Sequence, residues 1–471
     1  MTSQTTKEQS VLFAVAVTQF AVPFMISAVG VVLPSIGEDF HANGVLLSLV
    51  EAVFLGVNAM SLLCFGRASD LMGRNWIFTT GLSVFILATA SLGFSPSIYA
   101  LIAIRAVQAL GGAMIVSTGL AILLSVFPQE ERGKALGIAL ACVYLGLSAG
   151  PFLGGYIAGA LGWRGVFFVG IIPCLVALLF ILKTLPWDFR PSQTPFDIPG
   201  ALASMTCIGL FLYGGANVDT YWGLLALGGF LVSFLIFLHL ESRSPNPLLN
   251  LRLFTGSIDF SSGNLLQFLN YAATFGLTFL MSLYLQLGHG MSPMQAGTIL
   301  VIQPLTQSIL SPVCGRLADR YAPGIMVTVG MLMCICGLGW ASTFDDTTAL
   351  SSIYCMLGLV GLGIAFFVSP NMKMIMRSVD HKDYGVATAV TGQTRIVGMT
   401  VSMVAISMVI SIVVGDKVLS PDTFPDFNQA MQLVLQGSCA LGALGMAISL
   451  IVPAWNKHRT RHELIAGEHN A

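Results

Sequence analysis

Charge is what this sequence has least of. Of 471 residues only 9% are Asp, Glu, Lys or Arg, while 55% are hydrophobic. A single soluble core cannot hide that much apolar surface, so the chain must face lipid. The net charge of −1 leaves no basic excess with which to hold a nucleic acid. Two further absences concern chemistry: there is no Gly-rich phosphate loop followed by Lys-Ser/Thr, and no His pair at metal-ligand spacing. An enzyme is therefore not expected, nor a cofactor or metal, and ATP is not the energy source. Nine cysteines are present, but those such as Cys64, Cys142, Cys174 and Cys355 lie in apolar runs. Cys334 and Cys336, two apart, would point in different directions on a helix, so the cysteines read as packing residues.

What is there is a series of apolar runs near the ~20 residues that a ~30 Å hydrocarbon layer requires. They predict fourteen spans, from 11–33 to 429–453. The first is too long for a signal-peptide core and reads as a retained span, although Lys7 gives it a basic flank. Basic residues check the count, because cytoplasmic loops retain Lys and Arg. With the N-terminus inside, one face collects Lys7, Arg190, Lys382, Lys457, Arg459, Arg461 and most of the 21 Lys and Arg. Arg164 and Lys417 fall opposite, and Arg105 and Arg395 lie within spans. The prediction is an all-α, multi-pass protein of the plasma (inner) membrane with both termini cytoplasmic.

The turn after the second span reads Gly66-Arg67-Ala68-Ser69-Asp70-Leu71-Met72-Gly73-Arg74, and a related one, Gly315-Arg316-Leu317-Ala318-Asp319-Arg320, follows the tenth. Recurrence at matching places marks an internal repeat, the device by which transporters build two bundles around a central site. The expected organisation is a six-helix bundle over 1–190, a linker with two extra spans over 191–250, a second six-helix bundle over 251–456 and a cytoplasmic tail over 457–471.

Other pieces recur in fixed order: Arg105-x-x-Gln108, Phe196-Asp197-x-x-Gly200, Tyr284-Leu-Gln286 with Gln295-Ala-Gly297, and Arg395-x-x-Gly398. The fifth span adds Gly137, Gly146, Gly150-Pro151 and Gly154-Gly155. Together they resemble the fourteen-helix drug/proton antiporter family of the major facilitator superfamily, and the fifth span resembles its antiporter motif. The resemblance implies two bundles that rock about a central cavity, and it implies that the Asp70 turn, with Asp319 as counterpart, gates the outward-open state. Positive-inside anchoring alone would account for the arginines of those turns but not for the aspartates.

Ionisable residues inside a bilayer usually face a partner or a wet cavity. Three stand well inside the spans: Glu51, Arg105 and Arg395. Glu51 and Arg105 are expected about 10 Å deep and Arg395 some 16 Å deep from the other side, at 1.5 Å per residue. All three could share a level. Beside a guanidinium a carboxyl gives up its proton; apart from it and out of water it holds one. Glu51 moving between two arginines would thus couple protons to rocking, or, alternatively, one arginine holds it permanently as a lock between helices. Relatives commonly carry an aspartate on the first helix where this chain has Met25. That absence leaves coupling to Glu51, or makes it weaker or different from the family norm, and argues against lipophilic dications as cargo.

Cavity candidates are the polar residues amid apolar ones: Gln19 and Ser27, Asn58, Gln108 and Ser117, Asn264, Gln267, Asn270 and Tyr271, Gln303 and Gln307. Asn264, Gln267 and Tyr271 share one helix face. Each could instead bond a neighbouring helix. The expected activity is proton-coupled export of amphipathic small molecules, with protons and membrane lipid as the other partners and the monomer as the working unit. The competing readings are a facilitator or lipid/metabolite transporter of the same fold without obligatory proton exchange, and a non-transporting scaffold.

Overall fold

The computed structural model describes residues 2–128, 131–185, 188–189, 196–245, 247–249, 251–380 and 384–468, with side chains except those of 2–7, 252–253, 385 and 452–468. Arg190, Lys382 and the linker entry 191–195 lie outside the described residues, as do the side chains of Lys7, Lys457, Arg459 and Arg461. The described chain is helical, with no strand beyond one isolated bridge, Asn43 to Val418. Lipid offers no hydrogen bonds, so a spanning backbone must satisfy its own groups, and helices do so within one segment.

The first half comprises α1 (Thr2–Phe40), α2 (Gly44–Met72), α3 (Arg74–Gly93), α4 (Ile98–Val126) and α5 (Arg132–Thr184). Then come α6 (Ile198–Ala216) and α7 (Tyr221–Arg243). The second half comprises the short α8 (Arg252–Gly256), α9 (Ile258–Thr274), α10 (Leu277–Leu283) with a π-turn at Tyr284–Gly288, α11 (Pro293–Leu300), α12 (Ile302–Arg320), α13 (Pro323–Ala341), α14 (Leu350–Arg377), α15 (Tyr384–Val413) and α16 (Phe424–Glu468). Short polar side chains start several of them. Asn43 accepts from the Leu46 N–H at 2.9 Å, Asp197 from Gly200 at 2.9 Å, and Ser292 and Gln295 form a reciprocal capping box.

Among the described residues, thirteen helices are long and apolar enough to cross a membrane, with Ile258–Gly288 and Pro293–Arg320 each taken as one. One of them, α5, has 53 residues, about 80 Å at 1.5 Å per residue and more than twice the hydrocarbon thickness. It is interrupted at Gly162, whose φ of 74° and ψ of 171° are not helical. Phe20, Ser27 and Ala28 of α1 meet Gly146, Gly150 and Gly154 in ascending order. Asp39, Met25 and Phe13 meet Arg164, Gly170 and Phe180 in descending order. The two limbs of α5 therefore run antiparallel, with the expected fifth and sixth spans on either side of Gly162.

Two expected spans are less regular than the sequence reading has them. The ninth, 260–286, breaks between α9 and α10, where the Gly276 N–H donates to the Ser402 hydroxyl of α15 at 3.0 Å, and it ends in the π-turn. The tenth, 293–314, is interrupted at Val301. Pro304 has no N–H to give the Leu300 carbonyl, so the helical ladder loses a rung there.

The repeat is visible in packing. Gly81 of α3 meets Gly111 of α4, and Gly330 of α13 meets Gly363 of α14. A Cβ on Gly66 would stand 3.9 Å from that of Ser117, and one on Gly315 3.8 Å from that of Ser369. Gly146 presses on the Phe20 carbonyl of α1 as Gly398 of α15 presses on the Phe268 carbonyl of α9. The α6–α7 pair rests on both halves: Leu212 and Ile208 pack on Gly56 of α2, and Gly215 packs on Val404 of α15.

Candidate transport site

Glu51 of α2 and Arg105 of α4 are both buried and lie 3.3 Å apart, with side chains 3% and 0% exposed. The guanidinium Nε donates to the Val50 carbonyl at 3.3 Å and Nη1 to Gln108 Oε1 at 2.9 Å, while the group stacks 4.4 Å above the Phe54 ring. Gln108 in turn donates to the Thr89 hydroxyl at 2.8 Å. Nη2 faces Glu51 but off the line of a hydrogen bond, and neither Glu51 oxygen has a hydrogen-bond donor among the described residues. A dry ion pair without supporting donors is held by charge alone, and such a pair costs desolvation that its attraction only partly offsets.

Arg395 is not beside Glu51. Helix α15 runs antiparallel to α2, with Ile410 against Gly44 at one end and Gln393 donating to the Ala59 carbonyl at the other. Interpolating that register puts Glu51 opposite residue 402 or so, roughly 10 Å along α15 from Arg395. The shared level expected of the three charges thus holds for two of them. Arg395 stands instead against the hydroxyl of Tyr271 on α9, which also faces the hydroxyl of Tyr144 on α5.

In the turn between α2 and α3, Asp70 binds Arg74 at 2.8 Å, an exposed pair within one helical turn. The acid that caps α3 is Asp188, whose carboxylate accepts from the Asn75 and Trp76 N–H groups at 3.1 and 2.9 Å. Its carbonyl crowds Gly73, which sits at φ 113°. Asp70 thus bonds within its own turn. In the second half Asp319 pairs with Lys373 of α14, while Arg316 and Arg320 are exposed.

The glycines of the fifth span divide between two neighbours. Gly146, Gly150 and Gly154 pack on α1, whereas Gly155 packs on Pro293 and Gly297 of α11, in the other half, and Gly297 reaches the Pro151 carbonyl. Side chains there would force the halves apart, and Gly137 alone has open space around it. Nearby, the Ser148 and Ser308 hydroxyls bond at 2.7 Å. Further toward the Asn43 end, Gln286 in the π-turn donates to the Val31 carbonyl at 2.9 Å and Asn43 to Asp416 at 3.3 Å.

Most cavity candidates are spent on neighbouring helices or on their own. Ser27 donates to Leu147, Asn58 to Ala109, Asn264 to Phe260 of its own helix, and Ser117 to Met114. Gln267 accepts from Asn371 and Gln303 from Thr278. Gln108 belongs to the arginine cluster. Unpartnered buried atoms remain on Gln19 (Nε2), Asn58 (Oδ1), Asn264 (Oδ1) and Asn270 (Oδ1), and Gln307 is half-buried. Sequence reasoning missed Asp188, Tyr144, Gln393 and Asn371. Gln393, a polar residue two places before Arg395 in an apolar span, had a signal; Asp188 had none.

The sequence model of the Major Facilitator Superfamily matches residues 15–403 and 263–462. The chain is 30% identical over 426 residues to the tetracenomycin C resistance and export protein of Streptomyces glaucescens, covering 88% of this chain and 78% of that one. It is 30% identical over 364 residues to the riboflavin transporter RibZ of Clostridioides difficile (76% and 78% covered). In fold it resembles a bacterial homolog of the human lysosomal transporter Spinster, with a TM-score of 0.70 at 15% identity over 94% of this chain and 96% of that one. With its many apolar helices and its repeated halves, this is a multi-pass membrane transporter rather than an enzyme, and it belongs to the Major Facilitator Superfamily.

Proposed function

We propose that the protein is a proton-coupled exporter of amphipathic small molecules that works by alternating access in the plasma membrane, as a monomer with both termini in the cytoplasm. Six spans up to about residue 190 and six from about 251 form the rocking bundles, and the two helices between them ride on both. The observation that carries this reading is the buried Glu51–Arg105 pair, in which the carboxylate has charge but no hydrogen-bond donor to hold it. Both helices belong to the first bundle, so coupling needs α2 to shift against α4 within it as the bundles rock; that shift would leave the carboxyl to take a proton, and its reversal would expel it. Asp70 and Asp319, with Arg67, Arg74, Arg316 and Arg320, serve as gates at the opposite end from Asn43. The Gly146 to Gly155 face forms the seal. Gln19, Asn58, Asn270 and Gln307 contribute polar groups to the cargo cavity.

The test is proton-driven uptake into inside-out vesicles. Glu51→Gln is expected to abolish the response to a pH gradient, by at least about tenfold, since it removes the one titrating partner of Arg105. Unchanged coupling in a folded variant removes Glu51 from the mechanism. A second reading, a facilitator without obligatory proton exchange, is favoured by one feature: Glu51 has a single arginine beside it, as a permanent lock would. In that case Glu51→Gln lowers stability but leaves gradient dependence as it was.

A further inference from the structure

Arg395 differs from every other cation in the described interior. Arg105 is neutralised by Glu51, but among the described residues no carboxylate lies within ion-pair distance of Arg395. Its Nε is buried without a partner, while the side chain as a whole keeps part of its surface open. Elements of both halves surround it: α15 packs on α9 through Gly398 and Phe268 and reaches α2 through Gln393 and Ala59, and Tyr144 of α5 stands by Tyr271. Two phenol hydroxyls, those of Tyr271 and Tyr144, stand close by, and such groups can donate. Residues 9–36 of α1, which could have supplied an acid to this space, contain no charged side chain at all.

An uncompensated guanidinium in the middle of a membrane is costly, and such residues mark pathways and binding sites. Its planar fork matches a carboxylate, sulfonate or similar oxyanion in two parallel bonds, and phenol donors extend the match. We propose that Arg395, with the hydroxyls of Tyr271 and Tyr144, binds the anionic headgroup of the cargo, so that the preferred substrates are amphipathic anions rather than cations. The proposal names the substrate class for the exporter proposed above and rests on that reading for its place in transport. Because Tyr144 belongs to one half and Arg395 and Tyr271 to the other, a bound anion would also bridge the two.

The test is equilibrium binding to the purified full chain in nanodiscs, with three matched dansyl probes: a ten-carbon carboxylate, its methyl ester and its trimethylammonium analogue. The wild-type protein is expected to bind the carboxylate at least about tenfold tighter than either of the others, as a charge-assisted bidentate pair would give. Arg395→Gln should erase that preference while leaving ester affinity within about twofold, and Tyr144→Phe should weaken only the carboxylate, by about threefold, for one lost hydroxyl. Equal or tighter binding of the cationic probe by the wild type overturns the proposal, as does an Arg395→Gln variant that weakens all three probes alike. If Arg395→Gln does not fold, the wild-type ranking together with Tyr144→Phe decides in the same two directions. No pH gradient enters the measurement, so a failure of Glu51 to couple protons and a failure of Arg395 to select anions are read separately.

Discussion

The two halves share a backbone plan but not their charges. Matching the glycine crossings, Gly66 with Gly315 and Gly111 with Gly363, aligns Glu51 with Leu300 and Arg105 with Leu357. Both leucines are buried. Likewise, matching Gly146 with Gly398 aligns Arg395 with the buried Val143. At each of these three positions one half manages with an aliphatic side chain where the other carries a charge. The shared backbone plan thus accommodates an aliphatic side chain at each place, and a buried ion pair is often no more stabilising than well-packed hydrophobic residues of similar volume. The transport role proposed above would account for the charges.

That comparison can be broken most sharply by copying one half onto the other. Arg105→Leu alone should destabilise the protein by about 3–5 kcal/mol, because it strands the Glu51 carboxylate in a dry site. Glu51→Leu with Arg105→Leu should recover most of that loss in thermal unfolding while leaving gradient-driven efflux absent. A double variant that stays as unstable as the single one would show that the first half needs its ion pair to fold. Next in size, Gly146→Ala and Gly398→Ala should each lower stability by about 1–3 kcal/mol through overpacking, since each added Cβ meets a helix carbonyl, that of Phe20 or Phe268. Markedly unequal losses would weaken the alignment of α5 with α15. The smallest effects are expected at the gates. Asp70→Asn and Lys373→Gln break exposed pairs, so their unfolding should shift by less than about 1 kcal/mol each, and a changed efflux rate at unchanged stability would assign both turns to gating.

Much of this was legible beforehand because lipid imposes strict rules on sequence. Apolar length announced the helices, and the recurrence of Gly-Arg-x-x-Asp announced the repeat. Depth along the helices put Glu51 within reach of Arg105, but left Arg395 as a second candidate partner. Arg395 was misplaced because depth from a helix end says nothing about the register between α15 and α2, which Gln393 and the Ala59 carbonyl fix. The polar cavity candidates were hard to sort for a related reason. Asn and Gln in a membrane bond whatever helix lies beside them, and Gln108 was absorbed by Arg105, Gln267 by Asn371.

By itself, then, the sequence determined that the chain spans a membrane as helices, that it is built as a doubled unit, and that few charges enter the apolar layer. These follow from local composition and from the demand that each spanning backbone satisfy itself. Only the tertiary structure decided which charge neutralises which, that Asp188, beyond the end of α5, caps α3, and that Arg395 stands by tyrosines. Those outcomes depend on how distant helices slide and rotate against one another, and side chains far apart in the chain acquire neighbours only when that packing is complete.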